Sequence, residues 1–361
     1  MNAQLARWQP ILRTAARHRL FWPAALLAVL LSGNILFTPH FAEIEVRDGH
    51  LYGTIVDIFR FGAPLIMVAI GMTLVIATRG IDLSVGAVVA ICGALACLWV
   101  SKQPDQNSVG GVLVAVALAL ALALALGLWN GILVAGIGIQ PIIATLILMV
   151  GGRGLAQLIT DGQIITINSE PYELIGSGYL FTLPFNVLVA AAFAVATVAL
   201  LRGTALGMLI ESVGGNAEAS RLAGIMSRRL TLMVYMFCAL CAGVAGLMAS
   251  SNVHAADGNN AGLFIELDAI LAVVIGGTSL AGGRFSIGGT ILGALLIQTL
   301  TTTIYTVGVP PETALLWKAL VVTIVCLIQS PAFRARIAGV RRRPPPSAAP
   351  VEEQPKVGVP A

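Results

Sequence analysis

The chain of 361 residues is 57% hydrophobic and 11% charged, with a net charge of +4. Soluble proteins carry about a quarter charged residues, so this composition excludes a soluble enzyme or binding module and predicts an integral membrane protein. Five cysteines are too few for a secreted disulfide scaffold, and basic residues beside apolar runs indicate membrane topology rather than nucleic-acid binding.

The predicted elements are helical membrane spans. The uncharged run between Asp105 and Arg153 holds 47 residues, about 70 Å as a helix against a hydrocarbon core of about 30 Å, so it crosses twice. Val112 to Leu128 is apolar on all faces, unlike the alternating strands of a β-barrel. The sequence therefore predicts an all-α, polytopic membrane helix bundle of about ten transmembrane helices, at 20–38, 61–78, 81–100, 110–135, 140–160, 184–201, 230–250, 263–281, 286–306 and 312–330.

Three places in this series need comment. The first run follows an arginine-rich tail, residues 1–19, without a small-residue cleavage site, which predicts an uncleaved first helix. Residues 136–141 break the long run because Gly loosens a helix and Pro cannot donate to it. The eighth span is the weakest, since Glu266 and Asp268 lie at its start and only 15 uncharged residues separate them from Arg284.

Orientation follows from the basic residues. Sixteen Lys and Arg fall on one side of the ten-span arrangement, against Arg47 and Lys102 on the other. Because Lys and Arg accumulate on the cytoplasmic side, both termini are predicted to be cytoplasmic. The predicted organisation is a cytoplasmic tail at 1–19, a transmembrane domain at 20–335 with a cytoplasmic loop at 203–229, and a basic, Pro-rich tail at 336–361 whose composition predicts disorder.

A polar segment bracketed by glycines, residues 76–86, separates the second and third spans and reads IATRGIDLSVG. The interpretation that physics alone favours is a tight turn in which Asp82 or Ser84 caps the helix that starts near Gly86. The alternative is a broken helix lining a solute path, because non-helical backbone at membrane depth needs protein or water around it.

The long cytoplasmic loop is amphipathic rather than apolar. Between Gly215 and Gly224 it predicts a short helix with an apolar stripe, formed by Ala217, Ala219, Leu222, Ala223 and Ile225. A solvated linker needs no such stripe, so we expect a helix on the membrane surface that a partner groove can bind.

Glycines are dense in the segment 276–289. Gly276, Gly277, Gly282 and Gly283 stand in the string GGTSLAGG, and Gly289 with Gly293 forms a GxxxG pattern, as Gly127 does with Gly131. Backbone amides at such glycines can bind anions. Beside apolar spans, close helix packing through small residues is the favoured interpretation.

Polar side chains inside the spans are mostly neutral. Arg153 and Lys318 are the charged ones, and no Asp, Glu or His lies deep in a predicted span. This pattern favours a neutral, polyhydroxylated solute over a proton relay. The candidate path-lining residues are Asn130, Gln140, Thr145, Gln157 and Gln298.

These motifs resemble the permease subunits of bacterial carbohydrate ABC importers, the ribose, xylose and galactofuranose group. The resemblance covers roughly residues 55–335 and is carried by segments 72–93, 128–163, 207–225 and 266–298, above all by the strings IDLSVG and GGTSLAGG. Over its length the sequence looks most like the galactofuranose importer permeases. Arg79 departs from the pattern, because a Gly is common at that position before Gly-Ile-Asp.

The resemblance implies a translocator, not an enzyme, in the bacterial inner membrane. It implies a homodimer or heterodimer of permeases, separate cytoplasmic ATP-binding subunits that hold the ATP and Mg²⁺, and a periplasmic sugar-binding protein, with no cofactor in this chain. It also implies that the ATPase groove receives the residues Glu211, Gly214, Gly215, Asn216, Ala219, Ser220, Ala223, Gly224 and Ile225.

Three other functions are weaker alternatives at the level of sequence. A structural membrane protein is one of them, and the amphipathic cytoplasmic loop argues against it. An ion-coupled secondary sugar transporter needs a buried carboxylate relay, for which Glu266 and Asp268 are the candidates if the eighth span begins earlier. An intramembrane enzyme needs convergent acidic or metal-binding residues at one depth, and the sequence shows no such set.

Overall fold

The structure is a computed structural model that describes residues 20–47 and 49–329, so both predicted tails, 1–19 and 336–361, lie outside the described residues. The described helices are α1 (Phe21–Phe37), α2 (Thr54–Ala77), α3 (Val85–Ser101), α4 (Val109–Gly131), α5 (Pro141–Ile159), α6 (Glu170–Gly176), α7 (Phe185–Gly203), α8 (Leu206–Gly215), α9 (Ala217–Leu222), α10 (Ser227–Val253), α11 (Ile265–Ile275), α12 (Ile287–Thr306) and α13 (Pro311–Gln329).

Six short strands form three antiparallel pairs between the helices. β1 (Glu45–Arg47) pairs with β2 (His50–Tyr52), β3 (Ile164–Thr166) with β6 (Ala255–Asp257), and β4 (Tyr179–Leu180) with β5 (Leu183–Pro184). In register, Glu45 faces Tyr52, Ile164 faces Asp257 and Tyr179 faces Pro184. These pairs lie at the ends of helices, and none of them adds a sheet to the core of the bundle.

The predicted all-α membrane helix bundle is confirmed in its class. Six described helical stretches are long and apolar enough to cross a bilayer: Thr54–Ala77, Val109–Ile137, Pro141–Ile159, Phe185–Gly203, Ser227–Val253 and Ile287–Thr306. Each of the ten predicted runs contains a helix. The count of ten crossings and the side of the termini stay predictions.

Two predicted spans are shorter than expected. α3 begins at Val85 rather than at residue 81, because residues 78–84 are not helical. α11 holds 11 residues, about 16 Å of helix, which is half of the hydrocarbon thickness. Glycines with positive φ at Gly277, Gly282 and Gly283 follow it, so the chain leaves the helix there.

The predicted break at 136–141 is confirmed. α4 continues as a π-helical turn, Ile132–Ile137, and ends at Gly138, whose φ is 88°. Pro141 then opens α5, a position where its missing N–H costs no helical hydrogen bond.

The centre of the bundle is formed by α2, α3, α10 and α12. In the most apolar stretch of α2, 83% of the residues are buried, against 22% in α4 and 28% in α5. Gly127 of α4 packs on α10, where a Cβ would lie 2.8 Å from the Met236 Cα, and a Cβ on Gly293 of α12 would overlap the Ala272 carbonyl. The expectation of close helix packing through these glycines is therefore confirmed.

The loops segregate to two ends. One, the β end, carries the strands and α6, with the Ser169 hydroxyl donating to the Gln106 carbonyl at 2.5 Å and the Leu51 N–H donating to the Thr182 carbonyl at 3.1 Å. The other, the α8–α9 end, carries α8, α9, segment 78–84 and loop 276–286, with the Gly283 N–H donating to the Ala77 carbonyl at 2.9 Å.

Candidate functional site

Three of the sequence motifs meet at the α8–α9 end. Ala77 closes α2, and its carbonyl accepts the Gly283 N–H from loop 276–286. Gly214 of α8 lies against the same carbonyl, so closely that a Cβ on this residue would overlap the Ala77 oxygen. The absence of a side chain at Gly214 is what permits this approach.

Arg79 ties the same three segments together through its side chain. Its Nε donates to the Ala281 carbonyl at 2.9 Å, and its Nη2 donates to the Gly215 carbonyl at the end of α8. Gly282 packs on the Arg79 Cγ. We call this set the junction: Ala77, Arg79, Gly214, Gly215, Ala281 and Gly283.

The sequence did not predict the role of Arg79. The only sequence signal was an Arg where the resembling permeases commonly carry Gly. The structure explains why that position accepts Gly, because Arg79 has a φ of 65°, in the left-handed region that Gly adopts freely and other residues adopt rarely.

Residues 78–84 turn back into the bundle without a cap. The Asp82 carboxylate accepts the Ser84 N–H at 2.9 Å and the Ser84 hydroxyl at 2.6 Å. Neither side chain accepts an N–H from the first turn of α3, so the favoured prediction of a helix cap is wrong. Asp82 and Ser84 are each 1% exposed, because neighbouring helices surround the segment.

Two polar residues of neighbouring helices brace this segment. The Asn130 side chain of α4 donates to the Ser84 hydroxyl at 2.8 Å. The Thr145 hydroxyl of α5 accepts the Leu83 N–H at 3.2 Å and donates to the Pro141 carbonyl at 2.9 Å. Gly86 then packs on the Glu266 carboxylate at the start of α11. The segment is therefore held on several sides.

The other candidate path residues lie apart from Asn130 and Thr145. Gln140 and Gln157 are exposed near the two ends of α5, and the Gln157 amide donates to the Asn259 side chain at 2.7 Å. Gln298 packs on Gly62 between α12 and α2, with its Cγ 3.3 Å from the position of a Cβ there. The five residues do not converge within one chain, and their role in a path stays a prediction.

The short helix predicted in the long loop is confirmed as α9. Asn216 begins it, and the Asn216 side chain accepts the Glu218 N–H at 3.1 Å and the Ala219 N–H at 3.0 Å, an N-cap. Gly224 follows with a φ of 86°, and the Ile225 N–H donates to the Ser220 carbonyl at 3.0 Å. α9 is therefore closed at both ends.

The surface of α9 is open to a partner. An open groove of about 880 Å³ runs along residues 217–229, and Leu222 and Met226 beside it are 78% and 63% exposed. A hydrogen bond from Arg221, with its positive charge, holds the pKa of the Glu218 carboxyl below its ordinary value. The surface thus combines exposed apolar and ionised groups.

The predicted ATPase-contacting residues divide by exposure. Gly214 and Ser220 are buried, and Glu211 and Ile225 are half-buried. The rest are exposed: Gly215, Asn216, Ala219, Ala223 and Gly224.

The two carboxylates of α11 have separate surroundings. Asp268 Oδ2 lies 2.5 Å from the Lys318 ammonium of α13, as an ion pair between helices. Glu266 is 3% exposed and its Oε2 has no hydrogen-bond partner among the described residues. An engaged Asp268 is a poor member of an ion relay.

Known proteins match the chain over nearly its whole length. The galactofuranose transporter permease of Escherichia coli is 48% identical over 338 residues, 91% of this chain and 96% of its own. The fructose import permease of Bifidobacterium longum is 40% identical over 330 residues, 90% and 91% of the two chains, and the ribose import permease of Escherichia coli is 38% identical over 268 residues, 73% and 81%. No solved structure matches the chain.

One family model covers the helices that build the site. It is described as branched-chain amino acid transport system / permease component, and it matches residues 54–328, from α2 into α13. That stretch includes the junction, segment 78–84 and α9. The chain therefore belongs to this family of transport permeases, and it is a multi-pass membrane transport subunit rather than an enzyme.

Proposed function

We propose that the chain is the membrane-spanning subunit of an ATP-driven importer that carries a monosaccharide, with galactofuranose as the favoured sugar. The observation that carries this proposal is the near end-to-end similarity to sugar import permeases, 48% identical over 91% of the chain in the galactofuranose case. The family description names branched-chain amino acids, but the relatives compared above are named for sugars.

The importer assembles from several chains. A second permease, identical or related, forms the translocation path with this one. Cytoplasmic ATPases bind at α8 and α9, and a periplasmic sugar-binding protein docks at the β end. In this proposal both termini are cytoplasmic, and about ten helices cross the bacterial inner membrane.

α8 and α9 carry the features expected of an ATPase-coupling element. α9 is capped, short and exposed, and it offers Leu222 beside an ion-paired Glu218, with the exposed Met226 in the turn that follows. Apolar anchors surrounded by charge are typical of a helix that docks in a groove. Gly214 fixes α8 against the end of α2, so a displacement of the docked helices reaches the membrane domain.

Transport then follows by alternating access, without covalent chemistry in this chain. ATP binding closes the ATPase dimer and moves α8 and α9, the cavity between the permeases opens toward the binding protein, and hydrolysis returns it to face inward. Neutral polar side chains suit a sugar, whose hydroxyl groups need hydrogen-bond partners and no counter-charge. The candidates remain Asn130, Gln140, Thr145, Gln157 and Gln298.

Uptake into proteoliposomes tests the proposal. Vesicles holding this permease with the ATPase, binding protein and any sister permease of its transport system are offered labelled galactofuranose, ribose, xylose and fructose, with and without ATP. We expect uptake that needs both ATP and the binding protein, with galactofuranose preferred. Uptake that ignores ATP and follows a proton or sodium gradient contradicts the importer, whereas ATP-driven uptake of another sugar changes only the substrate.

A further inference from the structure

Arg79 occupies a position that disfavours it. Its φ of 65° lies in the left-handed region, where the Cβ of an L-residue approaches the carbonyl oxygen. Gly adopts this conformation freely. The residue after Arg79 is itself a glycine, Gly80. A strained non-glycine residue persists where its surroundings hold it, and such residues concentrate at functional positions.

The contacts that hold Arg79 join separate parts of the chain. Its Nε donates to Ala281 in loop 276–286 and its Nη2 donates to Gly215, the last residue of α8. The carbonyl of Gly215 is one of those that a helix end leaves without a partner, and a cation there is favoured by the helix dipole. The planar guanidinium fork reaches both acceptors at once, which a lysine ammonium on its flexible stem does not.

The backbone of Arg79 belongs to a third part of the chain, segment 78–84. Three residues later Asp82 holds Ser84, and Ser84 is bonded to Asn130 of α4. Arg79 thus stands between α8, which leads directly into the exposed α9, and buried groups inside the bundle. A displacement of α8 pulls on the guanidinium, and through it on segment 78–84 and loop 276–286.

We propose that Arg79 is a positioning residue that transmits movement of α8 and α9 to segment 78–84 and loop 276–286, so that ATP hydrolysis is coupled to transport. This inference rests on the proposed function, because it presumes an ATPase at α8 and α9. It assigns no contact with sugar or ATPase to Arg79 itself, whose described hydrogen bonds are internal to the chain.

The decisive variant is Arg79→Gly, which removes the guanidinium and also relieves the left-handed backbone. We expect it to reach the membrane, to co-purify with the ATPase and to unfold at a temperature no lower than that of the native protein. The sugar transported per ATP hydrolysed is expected to fall by at least about fivefold, the low end of ordinary coupling between two sites. For Arg79→Lys we expect a sugar-to-ATP ratio between those of the native protein and Arg79→Gly, because lysine keeps the positive charge but lacks the planar guanidinium fork.

Arg202→Ala is the matched control. Arg202 is an exposed arginine in the last turn of α7, and its side chain makes no hydrogen bond or ion pair among the described residues. An unchanged sugar-to-ATP ratio in Arg79→Gly, a ratio that falls equally in Arg202→Ala, or loss of co-purification with the ATPase overturns the proposal. Each variant is compared with native protein that shows ATP-driven uptake in the same assay. If the native protein shows no such uptake, the proposed function fails, and this outcome is distinct from a failure of the role of Arg79.

Discussion

The Thr145 side chain supplies a hydrogen-bond acceptor to the backbone of segment 78–84. The N–H groups of residues 78–80 still donate to carbonyls at the end of α2, but the chain is not helical up to Ser84, so the part-buried Leu83 N–H needs an acceptor outside a helix. The Thr145 hydroxyl accepts this N–H at 3.2 Å. One hydroxyl therefore stabilises the end of a broken helix.

Thr145→Val is expected to destabilise the protein by about 1 kcal/mol, because it leaves the part-buried Leu83 N–H without an acceptor while hardly changing the volume of the side chain. Thermal unfolding of the purified protein in detergent measures this loss. Thr323→Val is the control, since the exposed Thr323 hydroxyl donates only to the Ala319 carbonyl of its own helix, at 2.8 Å. Equal unfolding temperatures for the two variants would show that Thr145 has no bracing role.

At the scale of elements, α8 is joined to α2 by contact rather than by a flexible link. Gly214 lies on the Ala77 carbonyl, and that carbonyl also accepts the Gly283 N–H. α9 follows α8 after the single residue Asn216. α8 is therefore packed directly on the end of α2, with α9 attached to it by one residue.

Gly214→Ala and Gly215→Ala separate this contact from a general effect of glycine replacement. A Cβ at Gly214 would overlap the Ala77 oxygen, whereas a Cβ at Gly215 meets no atom within 4 Å. Overpacking of this kind costs about 1–3 kcal/mol, so we expect Gly214→Ala to lower both the unfolding temperature and ATP-dependent uptake. Gly215→Ala is expected to unfold at the temperature of the native protein, and equal unfolding temperatures for the two variants would contradict the contact.

At the scale of the whole molecule, the helices separate two chemically different ends. Apart from Arg60, Arg153 and Lys318, which lie within longer helices, the described basic residues divide unequally between the ends. The β end carries Arg47 and Lys102, and the α8–α9 end carries Arg79, Arg202, Arg221, Arg228, Arg229 and Arg284. The excess of basic residues at the α8–α9 end agrees with the excess of Lys and Arg expected on the cytoplasmic side, and it supports the proposed orientation.

Labelling from the two sides tests that orientation. A cysteine replacing the exposed Glu170 is expected to react with a membrane-impermeant maleimide on intact cells, and one replacing the exposed Glu218 only after permeabilisation. The parent protein carries Cys326→Ala and retains Cys92, Cys97, Cys238 and Cys241, which are buried, so its own labelling sets the background. The reverse pattern would place the termini outside.

Hydrophobicity predicted the helices well and their junctions poorly. The break before Pro141 and the helix after Asn216 follow from local rules of Pro and capping chemistry, so the sequence predicts both. The short α11 and the role of Arg79 depend on contacts between residues far apart in the chain, such as Arg79 with Ala281. The sequence identifies the polar residues within spans, but their spacing does not show which of them are buried. Gln298 packs on α2, whereas Gln157 is exposed.

The ion pair between Lys318 and Asp268 has a consequence for the order of biogenesis. A lysine within an apolar helix is costly to leave alone in hydrocarbon, and α13 follows α11 in the chain. The Asp268 carboxylate therefore leaves the ribosome before its partner, Lys318. A nascent chain with a misplaced α11 offers this lysine no counter-charge, and we expect the cell to recognise α13 as unassembled and to degrade the chain.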